Sequence, residues 1–355
     1  MTRQLIFLLP RIDKNVFSAQ ALLARQDLYA SYLANKQGGS YQKAIAFYSG
    51  TEAPVSPGPL SFIEPIWLGS TKLNSFSFFI KSIQYLKLVK DTRFILVAGT
   101  PFQPLLIARL INSRLGNSAI QVSIHGELTS LKKSRLKYLF LKGQLSKVSC
   151  LRFVSEAQRN DFGKVSSFAA IPSVITPVPI KIDPALVDSD KRINLGFVGR
   201  VHGERDPLSW VAIANSLPDM PKLVVGDGPI LGEMRTNLKR GEFTGALDSV
   251  QVESVWPRIN VLLSTAPFES YGLSIREALL HGVPVVAKSS AGIRELASKF
   301  PSLVKLFEER TQATKLIREF LDSPPTRNEF NSFKDWFVGK QEESLRALAK
   351  LWDEM

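Results

Sequence analysis

Short apolar runs alternate with stretches of helical period along nearly the whole chain. No other feature restricts the fold as much. Residues 4–9, 43–48, 93–97, 119–124 and 148–154 read as buried strands. Between them, residues 17–33, 73–90, 101–113, 130–145 and 155–162 read as helices. In the second of these, Leu73, Phe76, Phe79, Ile80, Ile83 and Leu86 fall at three-to-four spacing. Ser155 followed by Gln158 marks a helix start of capping-box type. Residues 51–65 hold four prolines and are expected to be a loop. The second half repeats the pattern, with strands at 193–198, 222–225, 242–244, 259–263 and 285–287 and a last helical stretch at 333–353. Such alternation predicts parallel sheets covered by helices on both faces, with ligands at the carboxyl ends of the strands.

At 355 residues the chain exceeds one ordinary core and fits two domains. Three prolines in 176–190 place the linker there, giving domains 1–183 and 184–334, with residues 335–355 returning to the first. The 45% apolar and 22% charged content is that of a globular protein. The apolar run 5–9 is too short for a signal peptide, and the longest candidate membrane span, 94–111, is interrupted by Gly99, Pro101, Gln103, Pro104 and Arg109. A single cysteine, Cys150, excludes an internal disulfide and a cysteine metal cluster. The net charge of +13 is unevenly spread. Residues 1–190 carry 23 Lys and Arg against 11 Asp and Glu, so nearly all the excess lies in the first half. That asymmetry points to a polyanionic partner, an acidic membrane or nucleic acid. Lys72, Lys81, Lys87 and Lys90 flank a helix bearing Phe76, Phe78, Phe79 and Tyr85, and Lys132, Lys133, Arg135, Lys137 and Lys142 surround Leu136, Tyr138, Leu139 and Phe140. Two such clusters favour contact with anionic lipid.

Candidate site residues gather at the expected strand ends. His125-Gly126 follows the strand at 119–124, where an imidazole can meet a ligand hydroxyl or carbonyl. Gly199-Arg200 follows 193–198, and Arg200 and Arg205 bracket a loop before a helix, an arrangement suited to a diphosphate. Gly226-Asp227-Gly228-Pro229 follows the next strand, and Gly245-Ala246-Leu247-Asp248 turns after the short strand at 242–244. The most distinctive stretch is Glu269-Ser270-Tyr271-Gly272-Leu273-Ser274-Ile275-Arg276-Glu277. It places one carboxylate on a loop and a second in a helix whose first-turn amides can receive a phosphate oxygen. Glu277 is suited to two vicinal hydroxyls such as those of a ribose. Asp188-Ser189-Asp190 imitates a metal motif but lies in polar linker sequence, and reads as a solvated turn.

These residues resemble the group 1, or family 4, retaining glycosyltransferases of GT-B fold. The resemblance rests on Phe197-Val198-Gly199-Arg200, on Gly226-Asp227-Gly228-Pro229, on Phe243-Thr244-Gly245, and above all on Glu269 through Glu277 continued by Gly282-Val283-Pro284-Val285-Val286-Ala287 and Gly292-Ile293-Arg294-Glu295-Leu296. The first half matches more thinly, at His125-Gly126 and at Phe153-Val154-Ser155-Glu156-Ala157-Gln158. The resemblance implies two facing Rossmann-like, doubly wound domains with the active site in the cleft between them. Arg200 would bind the donor diphosphate, helped by Arg205, which stands where the family usually has Lys. Gly226 and the turn Gly245-Ala246-Leu247 would serve the nucleotide, Tyr271-Gly272-Leu273-Ser274 the phosphate or sugar, and Glu277 the ribose. Glu269 would orient the transferred sugar and stabilise positive charge at its anomeric carbon, and His125 would lie close to it on the acceptor side. The family's Gly-Gly loop after the first strand is here Pro10-Arg11-Ile12-Asp13-Lys14-Asn15, and its usual Asn-Gly-Val-Asp is Pro179-Ile180-Lys181-Ile182-Asp183. Both departures fall on the acceptor and hinge side.

The expected reaction moves a sugar from a UDP- or GDP-sugar to a hydroxyl of a membrane-presented glycan or glycolipid, as in surface polysaccharide synthesis. Configuration would be retained by same-face displacement, without metal or other cofactor, in a cytoplasmic enzyme attached to the inner face of the membrane. Nucleic acid is not the expected partner. Three other readings stand beside this one: sugar transfer to nucleic acid bases, a catalytically silent nucleotide-binding subunit, and a nucleotide-sugar epimerase. The silent subunit should lack Glu269, Glu277 or Arg200, and all three are present. An epimerase needs further carboxylates in the first domain, where Asp13 and Glu127 are the obvious candidates.

Overall fold

The computed structural model describes residues 2–10, 12, 19–36, 43–50, 60–70, 75–89, 92–100, 102–116, 118–125, 135–145, 147–180 and 192–355. Gly126, Glu127, Arg11, Asp13, Lys14, Asn15, Lys72, Lys90, Lys132, Lys133 and the Asp188-Ser189-Asp190 turn lie outside them. The chain divides into two units, one formed by residues 1–179 and 341–355, the other by residues 180–340.

In the first unit the strands are β1 (Thr2–Leu9), β2 (Ala44–Tyr48), β3 (Ile63–Trp67), β4 (Thr92–Ala98), β5 (Ser118–Ile124), β6 (Cys150–Phe153) and β7 (Ser173–Ile175). All pair in parallel, in the order β3-β2-β1-β4-β5-β6-β7. Helices α1 (Ala19–Lys36), α2 (Ser75–Leu86), α3 (Gln103–Leu115), α4 (Arg135–Leu145), α5 (Glu156–Gly163) and the single turn α6 (Ser166–Ala169) connect them. Parallel strands need such crossovers. Both faces of the sheet are therefore covered, one by the layer containing Phe78, Ile107 and Phe162, the other by that containing Tyr29, Leu348 and Trp352. Burial on both faces explains why the strands read as apolar runs rather than alternating ones.

The loop expected at 51–65 ends in a strand, β3, that contains Pro65. It lies at the sheet's edge, where a missing amide proton is tolerated. The short β7 was not expected, because three residues carry no periodicity. Ser155 caps α5 by accepting from the Gln158 amide, as its sequence predicts.

The second unit repeats the plan with β8 (Asn194–Val198), β9 (Lys222–Val225), β10 (Glu242–Gly245), β11 (Ile259–Ser264), β12 (Val285–Lys288) and β13 (Val304–Phe307), all parallel, in the order β10-β9-β8-β11-β12-β13. Helices α7 (Pro207–Asn215), α8 (Leu231–Asn237), α9 (Ser249–Val255), α10 (Leu273–Leu280), α11 (Ala291–Lys299) and α12 (Arg310–Asp322) cover it. Apolar layers around Trp256, Ile275 and Phe333 and around Trp210, Val261 and Phe320 fill its two faces. Helix α13 (Arg327–Asp353) starts earlier than its apolar period shows. Glu329 accepts from both the amide (2.7 Å) and the hydroxyl (2.8 Å) of Thr326, a cap that fixes the start. Residues 327–340 belong to the second unit and 341–353 to the first, where Trp352 is fully buried and donates to Gln121 Oε1 at 2.7 Å.

In both sheets the strand order reverses beside the first strand, between β1 and β4 and between β8 and β11. Crevices at the carboxyl ends of such neighbours are where doubly wound sheets bind ligands. The expected doubly wound α/β class holds for each unit.

Candidate functional site

The second unit places its candidate residues at the reversal between β8 and β11. Val198 ends β8, and Gly199-Arg200 follows it. The loop after β9 lies directly against this turn. A Cβ on Gly226 would stand 1.9 Å from the Gly199 carbonyl oxygen, and one on Gly228 2.3 Å from that of Val201. Both glycines also have positive φ, 133° and 156°. The Val201 amide donates to the Asp227 carbonyl at 2.9 Å, and the Gly226 amide to that of Gly245 at 2.9 Å. The glycine pattern therefore lets three loops, after β8, β9 and β10, stack backbone on backbone. Gly226 is accounted for by that packing.

Arg200 carries a loose pair with Glu204 at 3.4 Å on the surface. Arg205 ends a 3-10 turn (Gly203–Arg205) and forms an ion pair with Glu269. Its backbone is fixed by the buried Thr265, whose hydroxyl lies 2.9 Å from the carbonyls of both Arg205 and Asp206. Asp206 has φ 46° and caps α7, accepting from the Ser209 amide at 3.3 Å. The residue just beyond β11 thus sets the guanidinium that follows β8.

Glu269 is held from two sides. One oxygen pairs with Arg205, and the other accepts from the Gly272 amide at 3.0 Å. Gly272 is left-handed, with φ 73°, and no side chain caps α10. Glu277 sits in the fifth position of that helix, half-buried. Beneath the loop, Arg276 is buried and lies over the Tyr271 ring at 3.7 Å. Burial lowers its pKa, opposed by Tyr271, Glu269 and Glu295. Helix α11 closes the base: a Cβ on Gly292 would stand 2.2 Å from the Glu269 carbonyl oxygen and 2.4 Å from that of Ser270. Arg200, Arg205, Glu269, Tyr271, Gly272, Leu273, Ser274 and Glu277 thus belong to one edge of one sheet, with Gly245, Ala246 and Leu247 on the β10 side. Thr265 was not singled out in the sequence, and Arg276 and Gly292 stood there only as motif residues with no role assigned. Arg276 carried a further signal, as a charge on the apolar side of an amphipathic helix.

His125 belongs to the other unit, just past β5. Gln158 anchors it, donating to its carbonyl at 2.9 Å and accepting from the Val154 amide at 3.2 Å. With Arg25, Tyr29, Ser123 and Arg152 it lines a pocket at the carboxyl ends of β1, β4 and β5. Desolvation of the ring, with the positive charges of Arg152 and Arg25 nearby, lowers its pKa to about 4 even though the residue keeps an exposed face, so the ring is neutral at pH 7. Among the described residues no cluster of three His, Cys, Asp or Glu could hold a metal, and no helix is long and apolar enough to cross a membrane.

Residues 192–321, most of the second unit, match the family described as Glycosyl transferases group 1. Over 189 residues the chain is 30% identical to a 2-deoxystreptamine glucosyltransferase of Streptomyces kanamyceticus, covering 47% of this chain and 49% of that protein. It is 29% identical over 109 residues to a GDP-mannose-dependent alpha-mannosyltransferase of Mycolicibacterium smegmatis, covering 31% and 29%. The matches thus span less than half the length of these relatives. In fold, the chain is similar to sucrose-phosphate synthase from Thermosynechococcus elongatus (TM-score 0.74, 16% identity, 100% and 99% covered). It is also similar to Anabaena HepE in complex with UDP (TM-score 0.71, 14% identity, 99% and 100% covered). Fold, motif order and strand-end geometry agree: residues 192–321 match the group 1 glycosyl transferase family, and the whole chain has the fold of these solved structures.

Proposed function

We propose that the chain is a retaining glycosyltransferase that moves a sugar from a nucleoside diphosphate sugar to a hydroxyl of a membrane-presented glycan or glycolipid. The observation that carries the reading is the convergence of Arg200, Arg205, Glu269 and Glu277 beside the β8–β11 reversal. Arg200 and Arg205 receive the diphosphate. Arg205 has five N–H donors, enough to keep Glu269 and take a phosphate oxygen together. The first-turn amides of α10 add positive potential. Glu277 accepts from the ribose hydroxyls. Glu269, preset by Arg205 and the Gly272 amide, holds the transferred sugar and offsets charge at its anomeric carbon. The leaving diphosphate, stabilised by the two arginines, takes the acceptor's proton on the same face of the sugar. These groups supply the field that a metal would otherwise provide, so the reaction proceeds without one. His125, kept neutral, serves the acceptor side.

The membrane part rests on the first unit. Its charge excess is joined by exposed Phe76 and Ile80 on α2 and by exposed Leu139, Phe140 and Lys142 on α4. Apolar side chains with basic neighbours suit an anionic lipid surface.

Thermal unfolding with UDP-, GDP- and ADP-sugars tests the donor reading. A true donor at 100 times its Kd stabilises the fold by about 2.7 kcal/mol. A raised midpoint with one base, and none with the others, is expected. No shift with any sugar nucleotide contradicts the proposal.

A further inference from the structure

The pocket in the first unit has an electrostatic imbalance that the donor chemistry does not use. Arg152 lies within β6, in register with Ser123 of β5 and Val174 of β7, and is 4% exposed. A charged side chain inside a sheet is costly unless an opposite charge or a full set of hydrogen bonds compensates it. Here Nε donates to the Thr176 carbonyl at 2.5 Å, and the guanidinium lies over the Tyr29 ring at 4.6 Å. Nη2 is buried with no hydrogen-bond partner among the described residues, and so is the Tyr29 hydroxyl. Burial raises the Tyr29 pKa to about 12, so the phenol does not serve as the counter-charge. Arg25, one turn before Tyr29 on α1, adds a second guanidinium to the wall. Among the described residues no carboxylate lines the pocket, and the remaining polar walls are Gln26, Ser123 and the neutral His125. The pocket sits at the carboxyl ends of β1, β4 and β5, beside the reversal of strand order, where a ligand is expected on topology alone.

We propose that this pocket receives an anionic substituent of the acceptor, a phosphate or carboxylate carried on a sugar, through Arg152 Nη2, the Tyr29 hydroxyl and Arg25. The assignment rests on the glycosyltransferase reading for the word acceptor, but the anion site stands on the first unit alone. Both side chains line the same pocket, and a guanidinium with a phenol beside it matches the oxygens of such a group. The neutral His125 beside it is then left to contact a sugar hydroxyl rather than the charge.

Calorimetric titration of the whole chain, without any nucleotide, tests the site with glucose 6-phosphate, glucuronate and glucose as probes. Either anion should bind at least about tenfold more tightly than glucose. Arg25→Gln, at an exposed position, should cut anion affinity by about tenfold while glucose affinity stays as it was. Arg152→Gln should abolish the preference for the charged probe, and circular dichroism shows whether that variant is folded. If it is not, Arg25→Gln decides alone. Equal binding of charged and neutral probes, or unchanged anion affinity in Arg25→Gln, overturns the proposal. Failure of the donor reading would show separately, as absence of sugar-nucleotide binding, whatever these titrations give.

Discussion

Arg205 and Glu269 show how much of this site is decided by single side chains held from behind. Thr265 fixes the arginine's backbone, the Gly272 amide fixes the carboxylate, and Arg276 lies buried beneath the same loop. Removing a positioning group costs geometry before it costs charge. His125 offers a second case, testable through pH. Its folded pKa, about 4, lies below the ordinary 6.5. Between those values the unfolded chain binds the proton more readily, so the stability this residue confers is complete above about pH 6.5 and is lost as pH falls toward 4. The residue also faces solvent, which moderates the effect and makes the slope shallow. Denaturant titrations of the parent and of His125→Gln across this range should show the smaller loss in the variant. Parallel slopes would contradict the assignment. Arg152 was legible in principle: Gln121, Ser123 and His125 alternate along β5, and Arg152 stands beside Ser123 on β6. A polar row at period two in otherwise apolar strands marks a lined pocket, but the apolar runs around it masked the pattern.

At the level of elements, the glycines of the second unit do more for packing than for ligands. The loops after β8 and β9 touch through backbone alone at Gly226 and Gly228, and α11 reaches the Glu269 loop only because position 292 has no side chain. Gly226→Ala combines a positive φ with a Cβ inside the contact distance of a backbone oxygen, so the Arg200 turn must move. We expect a loss of about 2 kcal/mol or more in chemical denaturation, together with weaker donor binding. An unchanged denaturation midpoint would show that the loops are not in contact. The motif spacing was readable from sequence because each glycine sits at a strand end. Its purpose was not, since both a ligand and a neighbouring backbone call for the same missing Cβ. The edge strand β3 was hidden by Pro65, and β7 by its three-residue length.

For the molecule as a whole, two repeats of one parallel plan each gather candidate residues where their strand order reverses, one set holding the groups proposed to bind the donor and the other holding Arg25 and Arg152, with no carboxylate among the described residues of its wall. The alternation of strand and helix made the class readable, and the stretch from Glu269 to Glu277 made the family resemblance readable. The acceptor was not readable, because its candidate contacts come from α1, β5 and β6, far apart in sequence and without a shared motif. The proposed donor chemistry requires that the second unit bind a sugar nucleotide through Glu277. The most direct measurement is calorimetric affinity of the best-stabilising sugar nucleotide for the parent chain and for Glu277→Ala. Two lost hydrogen bonds to a charged acceptor should weaken binding by about 100-fold, with the unfolding midpoint preserved. Equal affinity in a folded Glu277→Ala would contradict the central claim.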